Sequence, residues 1–273
     1  MKSDENSGVT VIIPTFRSEN VIIRALNSVL NQTSQPSEII VVDDASDDQT
    51  VSIVREFAKS CPKLQLLVNT KNEGPGRSRN TAWQLAKTEF IAFLDADDTW
   101  QPEKLQIQLE WFKNNQDAVI CGTRHQVVDE PVSMKEEEPV SVFKIKDLLW
   151  RNRFSTPSVI LKREIYPRFD NKLRFAEDYL LWMEIAATYG SVNRINQPLT
   201  ILHKPEFGSA GLSSKTWSMY RGEIKALFLL NQKKHINALT LFRSICWSTI
   251  KLIKRLPQVF TRRYSYHLFE PQK

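Results

Sequence analysis

The stretch Glu89–Leu105, EFIAFLDADDTWQPEKL, sets an apolar run, Phe90–Leu94, directly against the carboxylates of Asp95, Asp97 and Asp98. A short apolar run bounded this sharply reads as a buried strand, and its acidic end reads as a carboxyl terminus facing something other than the core. Carboxylates so crowded repel one another unless a cation or hydrogen-bond donors compensate. Hard oxygen ligands suit Mn²⁺ or Mg²⁺, which take one or two carboxylates together with substrate phosphates. The alternative is a solvated turn that caps a helix over Pro102–Asn114.

The same alternation extends to both sides. Val9–Ile13 is a β-rich run ending at Pro14, after which Ile22, Leu26, Val29 and Leu30 share one helical face. Ile39–Val42 stops at Asp43-Asp44; Val51, Val54 and Ala58 mark a helix, and Leu64–Val68 a strand. Pro75–Lys87 reads as a helix entered through Gly74 and Gly76. Leu105, Leu109 and Phe112 give another helix, and Ala118–Cys121 a fifth strand. Strands separated by helices predict an α/β fold, a mostly parallel sheet flanked by helices, with ligands beyond the carboxyl ends of the strands. Asp129–Val142, with two prolines and an acidic run, reads as a loop. Strand-like Ser158–Lys162, a helix around Asp178–Tyr189, strand-like Leu199–His203 and helix from about Ser218 to Leu256 follow. No internal repeat is present.

A chain of 273 residues with 41% hydrophobic and 25% charged residues has the composition of a globular protein with its own core. The expected division is a domain over 1–215, with halves at about 8–125 and about 140–215, then a helical basic region over 216–273. No apolar run is long enough to span a membrane, and MKSDENSG has no signal-like apolar segment. Cys61, Cys121 and Cys246 match neither a disulfide framework nor a metal spacing, which points to the cytoplasm. The formal charge of +6 is unevenly spread: from Gly222 onward ten basic residues face two acids, Glu223 and Glu270, so the body is nearly neutral and the tail strongly basic.

Two further acidic pairs stand out. Asp43-Asp44 closes the second strand; helix capping is an alternative reading, although Asp47 and Asp48 are better placed for that. Glu177-Asp178 opens a helix, where the helix dipole also favours acids. Between them EGPGRSRN, Glu73–Asn80, combines glycines, a helix start, Arg77 and Arg79 into a plausible phosphate cradle, without matching the P-loop or the dinucleotide fingerprint. No nucleophile and base pairing of the serine or cysteine hydrolase type is evident.

Taken together, VTVIIPTFRSE, EIIVVDDASDDQT, NEGPGRSRNTAWQLA, EFIAFLDADDTWQPEKL and FAEDYLLWMEI resemble the family 2 glycosyltransferases, in that family's order, over about Val9–His203. The resemblance implies the GT-A fold, a nucleotide-sugar donor (UDP by family frequency), Mn²⁺ or Mg²⁺, and inversion at the anomeric carbon. It places Pro14, Thr15 and Glu19 beside the nucleotide, and Asp44 on the uracil with Asp43 its neighbour. Arg79 and Arg77 would lie near the base and diphosphate, Asp95 at the ribose and Asp97 on the metal. His203 would be a further metal or phosphate contact, and Asp178 the catalytic base. Phe16 is followed by Arg17 where the family usually has Asn. The Gln-x-x-Arg-Trp signature of processive polymerases is absent, which implies one sugar per encounter.

In the tail, Phe242, Ile245, Cys246, Ile253 and Leu256 fall on one helical arc, with Arg243, Lys251, Lys254 and Arg255 opposite. Such a helix can bind an anionic membrane surface or pack on a core with a basic outer face. With Arg262, Arg263, Tyr264 and Tyr266 beyond it, the expectation is peripheral contact with the inner face of the cell membrane, near a lipid-linked saccharide acceptor such as those of O-antigen or capsule assembly. A metal-dependent nucleotidyltransferase and a nucleic-acid-binding protein are the competing classes. The first lacks its glycine- and lysine-containing loop, and the second would bring phosphates to an acidic cleft, so no nucleic-acid partner is expected.

Overall fold

The computed structural model describes residues 8–128, 138–203 and 216–268, with side chains through Lys254. Most of the acidic loop (129–137), and the side chains of Arg255, Leu256, Arg262, Arg263, Tyr264 and Tyr266, therefore lie outside the described residues.

The first half alternates as its periodicity predicts: β1 (Val9–Thr15), α1 (Ile22–Leu30), β2 (Glu38–Asp43), α2 (Thr50–Lys59), β3 (Leu64–Val68), α3 (Pro75–Leu85) and β4 (Phe90–Phe93). The four strands lie in the order β3-β2-β1-β4 and are parallel throughout. Their near-continuous apolar runs follow from burial on both faces. Ile12, Ile40, Val42, Ile91 and Phe93 pack to one side, with Trp83 of α3. Val11, Ile13, Ile39, Val41 and Ala92 pack to the other, with Leu26 of α1 and Val54 of α2. The strand order reverses about β1, so β1 and β4 open a crevice at their carboxyl ends.

Beyond β4 come β5 (Thr99–Trp100), α4 (Lys104–Asn114), β6 (Ile120–Val127), β7 (Val140–Phe143), α5 (Ile145–Leu148), a 3₁₀ turn (Thr156–Ser158) and β8 (Ile160–Lys162). Then follow α6 (Glu177–Tyr189), β9 (Val192–Leu202), α7 (Thr216–Gln232) and α8 (Ala238–Leu268). The sheet continues β4-β8-β6-β9-β5, with β8 antiparallel to both neighbours. β9 begins seven residues before the expected Leu199: Asn193, Arg194, Asn196 and Gln197 hide its start from the apolar pattern, and pairing with β6 and β7 makes it a strand. That added length lets β9 pair with β7 at one end and with β5 at the other.

Two other expectations change. The stretch read as loop to Val142 gives way to strand β7 from Val140. The tail, read as helical from about Ser218 to Leu256, is a helical hairpin. Lys234 takes a left-handed conformation (φ 61°), the His235 N–H reaches back to the Leu230 carbonyl at 2.9 Å, and Asn237 Oδ1 accepts the Thr240 N–H at 2.8 Å. This is a helix end followed by a new N-cap. Ala226, Leu227 and Leu230 of α7 join the core beneath α6.

Candidate active site

The crevice is rimmed by the residues that follow β1, β2 and β4. Pro14 and Thr15 end β1, both buried, and the Thr15 carbonyl accepts the Asp44 N–H at 2.8 Å. Thr15 Oγ1 is buried with no hydrogen-bond partner in the protein. Past it, Arg17 adopts φ 50° and its guanidinium forms a two-point ion pair with Asp47, at 2.6 and 2.7 Å. Glu19 Oε2 accepts the Gln49 N–H at 2.9 Å, and Asp48 accepts from both Thr50 and Glu19. Asp48 thus holds the first N–H of α2 from one residue before the N-cap Gln49, whose own N–H Glu19 tethers.

The pair closing β2 divides its work. Asp43 is fully buried and both its oxygens are held by Ser46, from the backbone N–H at 2.9 Å and the hydroxyl at 2.5 Å. Asp44 accepts from Asn69 Nδ2 (2.9 Å), the Glu73 N–H (2.9 Å) and the Gly74 N–H (2.7 Å). Asp44 therefore organises the chain leading into α3. The expected phosphate cradle is altered in consequence, since the amides of Glu73 and Gly74 are already engaged. A carboxylate has about four acceptor positions, so Asp44 Oδ2 retains one.

Arg79 is the hinge of the site. It is 4% exposed on α3, with Nη2 2.6 Å from Asp95 Oδ1 and Nη1 3.4 Å from Glu177 Oε1. Its plane lies over the Phe169 ring at 5.3 Å, and its Nε has no partner. Burial works against this guanidinium, and Asp95 and Glu177 outweigh it, leaving its pKa above the ordinary value. Arg77, two residues earlier and so about 200° round the helix, is exposed and pairs with Glu73 at 2.9 Å, so the structure does not bring it into the cluster.

Asp97 and His203 converge because β5 and β9 pair, Thr99 against Ile201. The His203 N–H donates to Asp98 Oδ1 at 3.2 Å, and its Nε2 lies 2.9 Å from Thr99 Oγ1. Burial lowers the imidazole pKa, Arg24 adds to this, and Asp97 opposes it. The neutral ring so favoured is the metal-ligating form. Among the described residues, no three His, Cys, Asp or Glu side chains gather to close a cation site by themselves. A carboxylate and an imidazole on one rim are an open donor set, which fits Mn²⁺ or Mg²⁺ completed by diphosphate oxygens.

Across the crevice, α6 opens at Ala176 in a left-handed conformation, φ 59°. Gly76 of α3 admits the neighbouring acid, for a Cβ there would lie 3.0 Å from Glu177 Cγ. Asp178 accepts from Thr156 Oγ1 at 3.1 Å and from the Tyr179 N–H at 2.7 Å. Burial lifts both acids: Glu177 to about 7, aided by the charge of Asp178, and Asp178 also upward, with Arg79 opposing. Thr156 and Arg24, whose Nη2 holds the Asp97 carbonyl at 2.8 Å, carry no recognisable sequence signal and were not anticipated.

The family profile Glycosyl transferase family 2 matches residues 10–178. The Escherichia coli UDP-Glc:alpha-D-GlcNAc-diphosphoundecaprenol beta-1,3-glucosyltransferase WfgD is 33% identical over 177 residues, 65% of this chain and 69% of that one. Among solved structures, Staphylococcus aureus TarS 1–349 in complex with UDP-GlcNAc is similar at TM-score 0.67 and 22% identity, covering 87% of this chain and 70% of that chain. The mannosyltransferase PcManGT from Pyrobaculum calidifontis, in complex with GDP-Man and Mn²⁺, is similar at TM-score 0.65 and 21% identity, over 97% of this chain and 76% of its own. The architecture is thus GT-A, as the sequence resemblance implied.

Proposed function

The chain belongs to glycosyl transferase family 2, and on that premise we propose that it transfers one sugar per encounter from a UDP-sugar to a hydroxyl of a lipid-linked saccharide, with inversion. The observation that carries this reading is the convergence of Asp95, Arg79, Glu177 and Asp178, from three separate segments, at one crevice. The UDP preference draws support from the name of WfgD, as does a polyprenyl-diphosphate-linked acceptor.

Each residue has a task in this reading. Asp44 Oδ2 offers its remaining acceptor position to the uracil N–H, while Pro14, Thr15 and Glu19 shape the wall behind the nucleotide. Asp95, oriented by Arg79, accepts from a ribose hydroxyl. Asp97 and His203 would hold Mn²⁺ or Mg²⁺, which supplies neutralisation of the negative charge gathering on the departing diphosphate. Asp178 takes the proton of the acceptor hydroxyl as that oxygen attacks the anomeric carbon from the face opposite the diphosphate. The glycosidic bond to the diphosphate breaks, its electron pair leaves on the diphosphate oxygen, and configuration inverts. Arg79 stays a positioning residue, since Asp95 and Glu177 occupy its guanidinium.

The test is a panel of UDP-, GDP- and dTDP-sugars with a short-chain GlcNAc-diphosphate lipid as acceptor, products read by mass spectrometry and anomeric configuration by NMR. Transfer with inversion from a UDP-sugar is expected. Transfer from GDP- or dTDP-sugars alone overturns the donor, and retention of configuration overturns the mechanism.

A further inference from the structure

Helix α8 carries a stripe of apolar residues on its outward side. Leu239, Phe242, Cys246, Ile250 and Ile253 follow one another at three- and four-residue steps, which places them on one helical stripe. That stripe faces solvent: Phe242 is 65% exposed, Ile253 60% and Leu239 57%. The inward side, by contrast, mixes Leu241, Ile245 and Leu252 with buried Ser244 and Ser248. Ser248 and Lys251 both bond Glu223 of α7, at 2.7 and 2.5 Å. Lys251 therefore does not belong to a solvated basic face, which corrects the arrangement expected from sequence. A contiguous apolar stripe left in water marks an interaction surface.

Charge identifies the occupant. Glu223 is the sole acid among residues 216–254, and its pairing with Lys251 leaves the exposed charges of this hairpin uniformly cationic, Arg243 and Lys254 beside the stripe among them. A second copy of the same face would set like charges against each other. A nucleic acid would meet the cations but leave the apolar stripe in water. An apolar stripe flanked by cations suits the boundary between acyl chains and anionic headgroups.

We propose that the outward face of α8 docks on an anionic lipid bilayer, its apolar side chains entering the headgroup boundary while Arg243 and Lys254 meet lipid phosphates. This deepens the proposed function only in its purpose, holding the crevice beside a lipid-linked acceptor. No helix among the described residues is long and apolar enough to cross a membrane, so the surface contact is distinct from a span.

The test is flotation of the full chain with phosphatidylcholine vesicles, with and without phosphatidylglycerol, alongside the variants Phe242→Ser/Ile253→Ser and Arg243→Ala/Lys254→Ala. Binding to the anionic vesicles is expected, falling about fivefold for each cation removed. Loss of the two apolar side chains should weaken it roughly tenfold or more. Both variants should keep the wild-type melting temperature, because all four side chains are exposed. Three results would overturn the proposal: no vesicle binding, binding unchanged in the apolar double variant, or a dimer in sedimentation that this variant dissolves. Duplex DNA binding lost only with the cation variant, without vesicle binding, would reassign the surface. Calorimetry with UDP on the same samples separates the two readings, since intact nucleotide affinity with no flotation rejects the docking surface alone.

Discussion

As the proposed base, Asp178 joins two demands that pull against each other: it would have to be ionised to accept a proton, yet burial raises its pKa. The Thr156 hydroxyl and the Tyr179 N–H favour the ionised form, and Arg79 adds positive charge nearby. Asp178→Asn keeps the shape without the basicity, so the transfer rate should fall roughly 10²–10⁴-fold while UDP affinity holds. Near-wild-type turnover in that variant would remove the base from the mechanism. The sign of the pH dependence follows. Because the active form is deprotonated and the folded pKa is raised, activity should be lost as pH falls through a value above the ordinary carboxylate range. Thr156→Val removes a hydrogen bond made to the charged form, so its acidic limb in kcat/KM should move to higher pH. Glu177→Gln leaves Asp178 its basicity, so it should lower the transfer rate less than Asp178→Asn does. At this scale the acids were legible because they end apolar runs, as Asp95 and Asp97 do. Their partners were not: Thr156 and Arg24 are ordinary residues made relevant only by chain closure 22 and 73 positions away.

The elements that aim these residues are held by close backbone packing. Gly222 of α7 lies against the turn that opens α6: a Cβ there would sit 2.5 Å from the Phe175 carbonyl oxygen. That turn carries the left-handed Ala176 and, immediately after it, Glu177 and Asp178. A backbone atom cannot swing aside as a side-chain tip can. Gly222→Ala should therefore cost about 1–3 kcal/mol of stability by overpacking, measurable in urea melts. It should also lower kcat more than UDP affinity, because the displaced turn leads to the proposed base and not to the proposed nucleotide wall. Equal activity in wild type and variant would show that α7 does not set the position of α6. Elements with an unbroken period, β1 through β4, were readable in advance. β9 was only half readable, since its first residues gain strand geometry from pairing with β6 and β7 and not from their own pattern. The break between α7 and α8 is faint in sequence, since it contains neither Gly nor Pro and rests on a left-handed Lys234.

At the scale of the molecule, the crevice joins segments that the chain brings together only on folding: Asp44, Arg79 and Asp95 from the parallel half, Asp178 and His203 from beyond it. A ligand that bridges them binds the folded state alone and must stabilise it, by about 2.7 kcal/mol at a hundred times its Kd. For a chain of this size such a gain raises Tm by roughly 5 °C or more. If the carboxylates of Asp95 and Asp97 face a diphosphate without a cation, their repulsion opposes binding. UDP with Mn²⁺ should therefore shift Tm, while UDP in EDTA shifts it little. Asp97→Asn should reduce the Mn²⁺-dependent part of that shift and leave the melting of the ligand-free protein near wild type, since this carboxylate is only partly buried at the rim. The readout needs no turnover and no acceptor, so it isolates donor binding from catalysis. If UDP alone stabilised wild type and Asp97→Asn equally, with Mn²⁺ adding nothing to either, the rim formed by Asp97 and His203 would be a nucleotide contact without a metal, and Arg24, whose Nη2 holds the Asp97 carbonyl, would remain as the positive charge beside it.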